Sequence, residues 1–238
     1  MPLSTRALFA LWRRSRQDPS NPFARAVAGL LADALEAGVG PLAGQTVVDV
    51  GTGDGTYARA FADRGARVVA VEYDASHLQL TGTPPPGAVV GDGRRLPLAE
   101  KSVDGLYSGN VLEHTPTPYA LLDELARVAK PGGWGYVHWT NWYSPWGGHG
   151  MSPYQYLGPR LGPRLYERRN GPPASNRIGE GLFVLHIAPV LRYLRGHRDW
   201  ALVGVEPRYW PQHRWIVALP GFREVFTWNC AVRLVRRR

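Results

Sequence analysis

Residues 47–55 read VVDVGTGDG, and this stretch decides the fold. Thr46 to Val50 is a β-branched run of the kind that fills buried parallel strands. It leads directly into glycines at 51, 53 and 55, which let the main chain turn tightly and let a ligand approach the backbone. A helix follows, with Ala58, Phe61 and Ala62 on one face and Gly65 as its stop. Residues 67–72, RVVAVE, form a second buried strand. Residues 46–72 therefore make one βαβ unit with a right-handed crossover, and its helix aims its N-terminus at whatever the glycine loop holds.

The pattern continues on both sides of this unit. Upstream, residues 20–42 predict a helix in which Ala24, Val27, Ala28, Leu31 and Leu35 form one apolar stripe, ended by Gly38 and Gly40-Pro41. Downstream come a weak helix near Ala75, a proline-rich loop at 81–87, a third strand at 88–90 and a fourth at 103–108. Thr117 and Pro118 open a helix with Leu121, Leu125 and Val128 inward, and residues 130–133, KPGG, break it before a fifth strand at 134–139. This alternation implies an α/β, doubly wound, mostly parallel sheet. From 141 to 181 the periodicity stops in a segment rich in Gly, Pro, Arg, Trp and Tyr, which reads as a lid-like insertion. An extended stretch at 182–187, a helix at 188–195 and strands at 200–206 and 226–235 complete the chain. The expected organisation is N-terminal helices over the site (1–45), a ligand-binding core (46–140), a substrate lid (141–181) and the completion of the sheet (182–238).

The chain has 238 residues, enough to bury a large core without metal or disulfide. Its one cysteine, Cys230, sits in an apolar run and reads as a small buried hydrophobe, consistent with a reducing, cytoplasmic setting. The net charge is +9, carried almost wholly by arginine, with Lys101 and Lys130 the only lysines. That balance suits an anionic partner, although a compositional preference for arginine accounts for it equally well. No apolar run approaches the roughly 18 residues of a membrane span. The N-terminus, MPLSTRALFALWRRSR, lacks the charge order of a signal peptide and reads as a short amphipathic helix, with peripheral membrane contact as an alternative.

Glu72 ends the second strand about 20 residues beyond the loop, where a carboxylate can accept hydrogen bonds from the ribose hydroxyls of an adenosine cofactor. Nicotinamide and S-adenosylmethionine (SAM) proteins share that layout. The spacing here is G-x-G-x-G, with Thr56 where a dinucleotide fingerprint has its third glycine. Asp49, just ahead of the loop, suits a sulfonium or an ammonium and would serve a pyrophosphate poorly.

In this set of motifs the sequence resembles the class I SAM-dependent methyltransferases, in particular the type-11 small-molecule subgroup. The matching stretches are VVDVGTGDG (47–55), VVAVEYDAS (68–76), GDGRRLPL (91–98), NVLEHTPTP (110–118) and LLDELARVAKPGG (121–133), in the family's order and spacing. The resemblance implies a Rossmann-like, seven-stranded sheet with one antiparallel strand and helices on both faces. It also implies that Gly51, Thr52 and Gly53 line the methionine and ribose part of the cofactor. By the same carry-over Glu72 holds the ribose, Tyr73 stacks near the adenine, Asp92 with Gly93 takes the adenine amino group, and Asn110 lies near the methionine end. Asp54 as a helix cap and Glu113 as a backbone acceptor are the structural readings of two further acids.

Methyl transfer is an in-line displacement, so the protein must align the acceptor and, for a hydroxyl, remove its proton. His114, at the C-terminal edge of the sheet, and His149, in the insertion, are the candidate bases, with His138 expected to be packed. Trp142, Tyr143 and Trp146 offer flat faces to a substrate, and Arg160 and Arg164 offer forked donors for a phosphate or carboxylate. The expected reaction is methylation of a small-molecule acceptor, oxygen before nitrogen or carbon, such as an anionic or nucleotide-sugar-like intermediate. Two alternatives stay open. One is a nucleic-acid methyltransferase, favoured by charge but lacking an appended binding module. The other is a SAM-binding protein of this fold with non-methylating chemistry.

Overall fold

The structure is a computed structural model that describes residues 21–80, 82–173 and 176–238, together with Ala10 and Arg13. Most of the expected N-terminal amphipathic helix lies outside the described residues. The seven strands form a mostly parallel sheet, and the chain divides into two compact units, 1–92 and 93–238.

The first unit carries α1 (Pro22–Val39), β1 (Thr46–Val50), α2 (Thr56–Ala62), β2 (Arg67–Glu72) and β3 (Ala88–Val90). Asn21 caps α1 by accepting from the Ala24 N–H at 3.1 Å, and Pro22 fits its first turn. β1 and β2 are parallel with Asp49 opposite Ala70, and β3 joins the other side of β2, giving the order β3-β2-β1. Val47, Val48 and Val50 are buried with Ala58 and Phe61, as the apolar spacing predicts. Near Ala75 the chain forms only a single helical turn, His77–Gln79.

The second unit carries β4 (Val103–Gly109), α3 (Pro118–Val128), β5 (Ala129–Thr140), α4 (Gly158–Asn170), α5 (Ile187–Gly196), β6 (Trp200–Pro207), α6 (Trp215–Ala218), α7 (Phe222–Phe226) and β7 (Asn229–Arg236). Its strands run in the order β4-β5-β7-β6, and β7 is antiparallel to both neighbours. Leu121, Leu122, Leu125 and Val128 turn α3 inward, and Trp200 donates its indole N–H to the Leu122 carbonyl at 3.1 Å.

Several boundaries differ from the sequence expectation. KPGG does not separate α3 from β5 but lies inside the strand. β5 pairs with β4 at Val103–Ala129 and again from Gly105–Trp134, and the intervening residues bulge out. Lys130 anchors that bulge through a 2.6 Å ion pair with Asp104. α5 starts at Ile187, one residue before the expected start. The last strand begins at Asn229, because residues 222–226 are helical, with Phe222 and Phe226 stacked at 4.0 Å one turn apart. The 141–181 segment is more ordered than its lack of periodicity suggests. It contains α4 and two single-turn helices, 149–151 and 154–157, and Trp142, Met151 and Leu182 form a small core against Tyr143, Tyr166, Ile178 and Val184.

Candidate active site

In the first unit, β1 delivers Asp49 to the mouth of the glycine loop with 1 % of its surface exposed. Its Oδ2 accepts from the Thr52 hydroxyl at 2.7 Å, and its Oδ1 is buried with no partner among the described residues. Burial, reinforced by the neighbouring Glu72 and Asp54 carboxylates, pushes the Asp49 carboxyl up to about 7. An acid in that state is stabilised by an incoming cation, which is the charge of a methionine-type ammonium or sulfonium.

β2 delivers Glu72 across the loop. Its Oε2 accepts from the Gly53 N–H at 2.8 Å, and its Oε1 accepts from the N–H groups of Tyr73 and Asp74 at 2.9 and 3.2 Å. Three backbone donors thus fix the carboxylate while leaving about one of its four acceptor sites for a ligand hydroxyl. Gly51 and Gly53 have φ of +72° and +55°, and a Cβ on Gly53 would meet nothing within 4 Å, so the loop borders open space. An orphaned buried carboxylate oxygen, a fixed acceptor and an open glycine cradle fit the adenosyl-methionine chemistry expected here. Tyr73 is 75 % exposed, and Asp92, with Gly93 next to it, is partly buried. Asp54 accepts from the Thr56 N–H at 2.9 Å in a local turn, but it is not the cap expected: Gly55 holds the N-cap position of α2, without a side-chain cap.

In the second unit, the segment after β4 brings His114 to the Gly181 carbonyl, with Nδ1 2.6 Å from that oxygen. A carbonyl only accepts, so Nδ1 carries the hydrogen, and in the neutral ring Nε2 keeps a free lone pair. His149 stands edge-on to His114 with ring centres 4.9 Å apart. Burial, with a smaller contribution from His114, holds His149 below the usual imidazole range. Its φ of +48° is rare for a residue with a side chain, and its buried Nδ1 has no partner among the described residues.

His138 is consumed structurally. The Arg208 guanidinium donates to its Nδ1 at 3.2 Å, so Nε2–H points to the Tyr107 hydroxyl at 2.9 Å, and burial first and Arg208 second drive its pKa well below the ordinary value. Asn110 has φ +55° and accepts from the Asn229 amide at 2.7 Å. Of the expected substrate residues, Trp142 is 1 % exposed inside the small core, Tyr143 lies beside His186, and Trp146 is exposed and packs on Trp228. Arg160 and Arg164 are exposed on α4.

Glu224 and the Gly181 carbonyl, which help hold the histidine region together, escaped the sequence reading, whereas Glu113 was read as a backbone acceptor. Buried Glu113 does accept a backbone hydrogen bond, from Thr140 N–H at 2.8 Å, but its own carbonyl also accepts from Phe183 N–H at 2.7 Å. Glu224 accepts from the N–H groups of Ile187 and Ala188 at 2.9 and 2.8 Å, capping α5 from 36 residues away. Gly181 supplies only a main-chain oxygen.

The acid-bordered glycine loop and the sheet with one reversed strand define a methyltransferase of the class I, SAM-dependent type. The chain belongs to the methyltransferase family: residues 48–137 match the model described as a methyltransferase domain. An uncharacterized methyltransferase of Mycobacterium bovis is 37 % identical over 236 residues, covering 95 % of this chain and 92 % of the relative. One from Mycobacteroides abscessus is 39 % identical over 201 residues, covering 81 % and 77 %. Among solved structures, a SAM-dependent methyltransferase from Mesorhizobium loti aligns with a TM-score of 0.59 and 21 % identity, covering 86 % of this chain and 96 % of that one, a likeness of fold.

Proposed function

We propose that the protein methylates a hydroxyl group of a small-molecule acceptor, with the cofactor held by residues of the glycine-loop region and His114 as the general base. SAM, when bound, supplies a methyl group activated by its sulfonium charge. In this reading the Asp49 carboxylate balances the ligand's positive charge, and Gly51, Thr52 and Gly53 present backbone and hydroxyl groups to it. Glu72 accepts from a ribose hydroxyl, Tyr73 covers the base, Asp92 and Gly93 meet the adenine edge, and Asn110 borders the methionine end.

The observation that carries the acceptor assignment is the His114 tautomer. With Nδ1–H committed to Gly181, the ring offers Nε2 as an acceptor for a hydroxyl proton, the arrangement that proton removal needs. His149, held below the usual imidazole range by burial, stands edge-on beside it. Tyr143 and Trp146, in the 141–181 segment we assign to substrate specificity, offer aromatic faces to the acceptor, with Tyr143 packed on the Trp142 cluster and Trp146 on Trp228.

The test is methyl-group labelling. Purified protein is incubated with methyl-labelled SAM and separate panels of phenols, sugar hydroxyls, amines and RNA. Label in a hydroxyl panel supports the reading, and label confined to amines or RNA contradicts it.

A further inference from the structure

Helix α4 opens with a tandem repeat, Gly158-Pro-Arg-Leu161 followed by Gly162-Pro-Arg-Leu165. A period of four nearly matches the helical turn, so the leucines line up along one flank and the arginines beside them. The inner face is fixed. Gly162 is buried, and a Cβ there would lie 2.2 Å from the Tyr154 carbonyl oxygen, while Tyr166 packs edge-on to Tyr154 and against the Trp142 cluster. The leucines are left outside: Leu157, Leu161 and Leu165 are 50, 51 and 36 % exposed, with Tyr156 at 48 %. Arg160, Arg164, Arg168 and Arg169 are exposed as well. The one acid on the helix, Glu167, is held by Arg177 at 3.0 Å, so the helix keeps its positive charge.

We propose that this leucine–arginine face of α4 docks on an anionic lipid surface. A helix with leucines on one flank and arginines beside them lies in the plane of a membrane interface, with the apolar flank in the acyl boundary and the guanidinium forks on phosphate headgroups. The charge sets the occupant: four arginines without a free acid complement anionic lipid, and the chain's net charge of +9 adds long-range attraction. The fork chemistry that suits Arg160 and Arg164 to an anionic substrate suits them equally to a headgroup phosphate, and their position on the outer face favours the surface.

The test is co-sedimentation of the full chain with vesicles of phosphatidylglycerol and phosphatidylcholine, beside vesicles of phosphatidylcholine alone. The parent binds the anionic vesicles and releases them at high salt. The Arg160→Ser/Arg164→Ser variant loses about fivefold per arginine, the equivalent of ~1 kcal/mol each. The Leu161→Ser/Leu165→Ser variant loses roughly tenfold or more, while Val203→Ser, an exposed change on β6, binds like the parent. All three sites are exposed, so melting curves should show the variants folded. No binding by the parent overturns the proposal. So does undiminished binding by the leucine variant, which would mark simple attraction between a basic chain and any polyanion, RNA included.

Discussion

The imidazole Nδ1 of His114 lies 2.6 Å from the carbonyl oxygen of Gly181, joining two points 67 residues apart. Two hydrogen bonds to the adjacent Glu113 reinforce the joint, one from Thr140 at the end of β5 and one from Phe183 two residues past Gly181. His114 is therefore oriented by the last residue of the 141–181 segment, through a main-chain atom that no side-chain substitution at 181 removes.

Replacing His114 should separate binding from proton removal. His114→Gln should lower kcat on a hydroxyl acceptor by about 10²–10⁴-fold while leaving affinity for S-adenosylhomocysteine near that of the parent. A kcat within threefold of the parent would remove His114 from the role of base.

The raised Asp49 carboxyl makes cofactor binding pH-dependent. With its value near 7 in the free protein, the group is partly protonated at neutral pH, and a cation beside it lowers that value, so binding releases a proton. Affinity for S-adenosylhomocysteine should rise with pH up to about 7 and level off above. Calorimetry in two buffers of different ionisation heat should detect the released proton, and Asp49→Asn should abolish it. The sign for stability is opposite. Between the ordinary carboxylate value of 3.8 and about 7 the folded chain holds a proton that the unfolded chain lacks, so this group's contribution falls as pH rises through that window. The ligand-free Asp49→Asn protein should therefore melt higher than the parent at pH 8.

Buried His138 acts in the other direction. Its folded value lies well below 6.5, so the unfolded chain takes up a proton that the folded chain refuses. Its contribution to stability is complete above about pH 6.5 and is lost as pH falls below that, with His149 adding in the same sense. Thermal melts from pH 7.5 to 5 should show a shallower loss in His138→Gln than in the parent. Parallel curves would mean that the ring is not held neutral.

Two glycines of the 144–151 region should respond differently. A Cβ on Gly147 would lie 1.9 Å from the Trp142 carbonyl oxygen and 2.4 Å from that of Asn141, whereas one on Gly150 meets nothing within 4 Å. Urea denaturation should place Gly147→Ala about 1–3 kcal/mol below the parent and Gly150→Ala close to it.

The βαβ unit was legible because its signals are local: valines for a buried strand, glycines for the turn, and Glu72 at the next strand end. β1 and β2 match their expected ranges residue for residue. Local reading failed where a distant partner decides. KPGG looks like a helix breaker, yet Asp104 and β4 draw it into a bulged strand. The 141–181 segment has no helical stripe because α4 turns inward only Gly162 and Tyr166, against Tyr154, leaving its leucines outside. The Gly181 carbonyl and the Glu224 cap act over 67 and 36–37 residues, a range at which sequence spacing carries no signal. His114 itself was legible, but the Gly181 carbonyl that orients its ring was not.

We propose above all that the glycine-loop region holds a SAM-type ligand. The most direct measurement is calorimetric titration of the parent with S-adenosylhomocysteine, beside Glu72→Ala and Asp92→Ala. The parent should bind with micromolar affinity, weakened by about 1–3 kcal/mol in each variant through the loss of a hydrogen-bond acceptor. Parent-like affinity in both variants would place the ligand elsewhere, and no binding by a folded parent would contradict the claim.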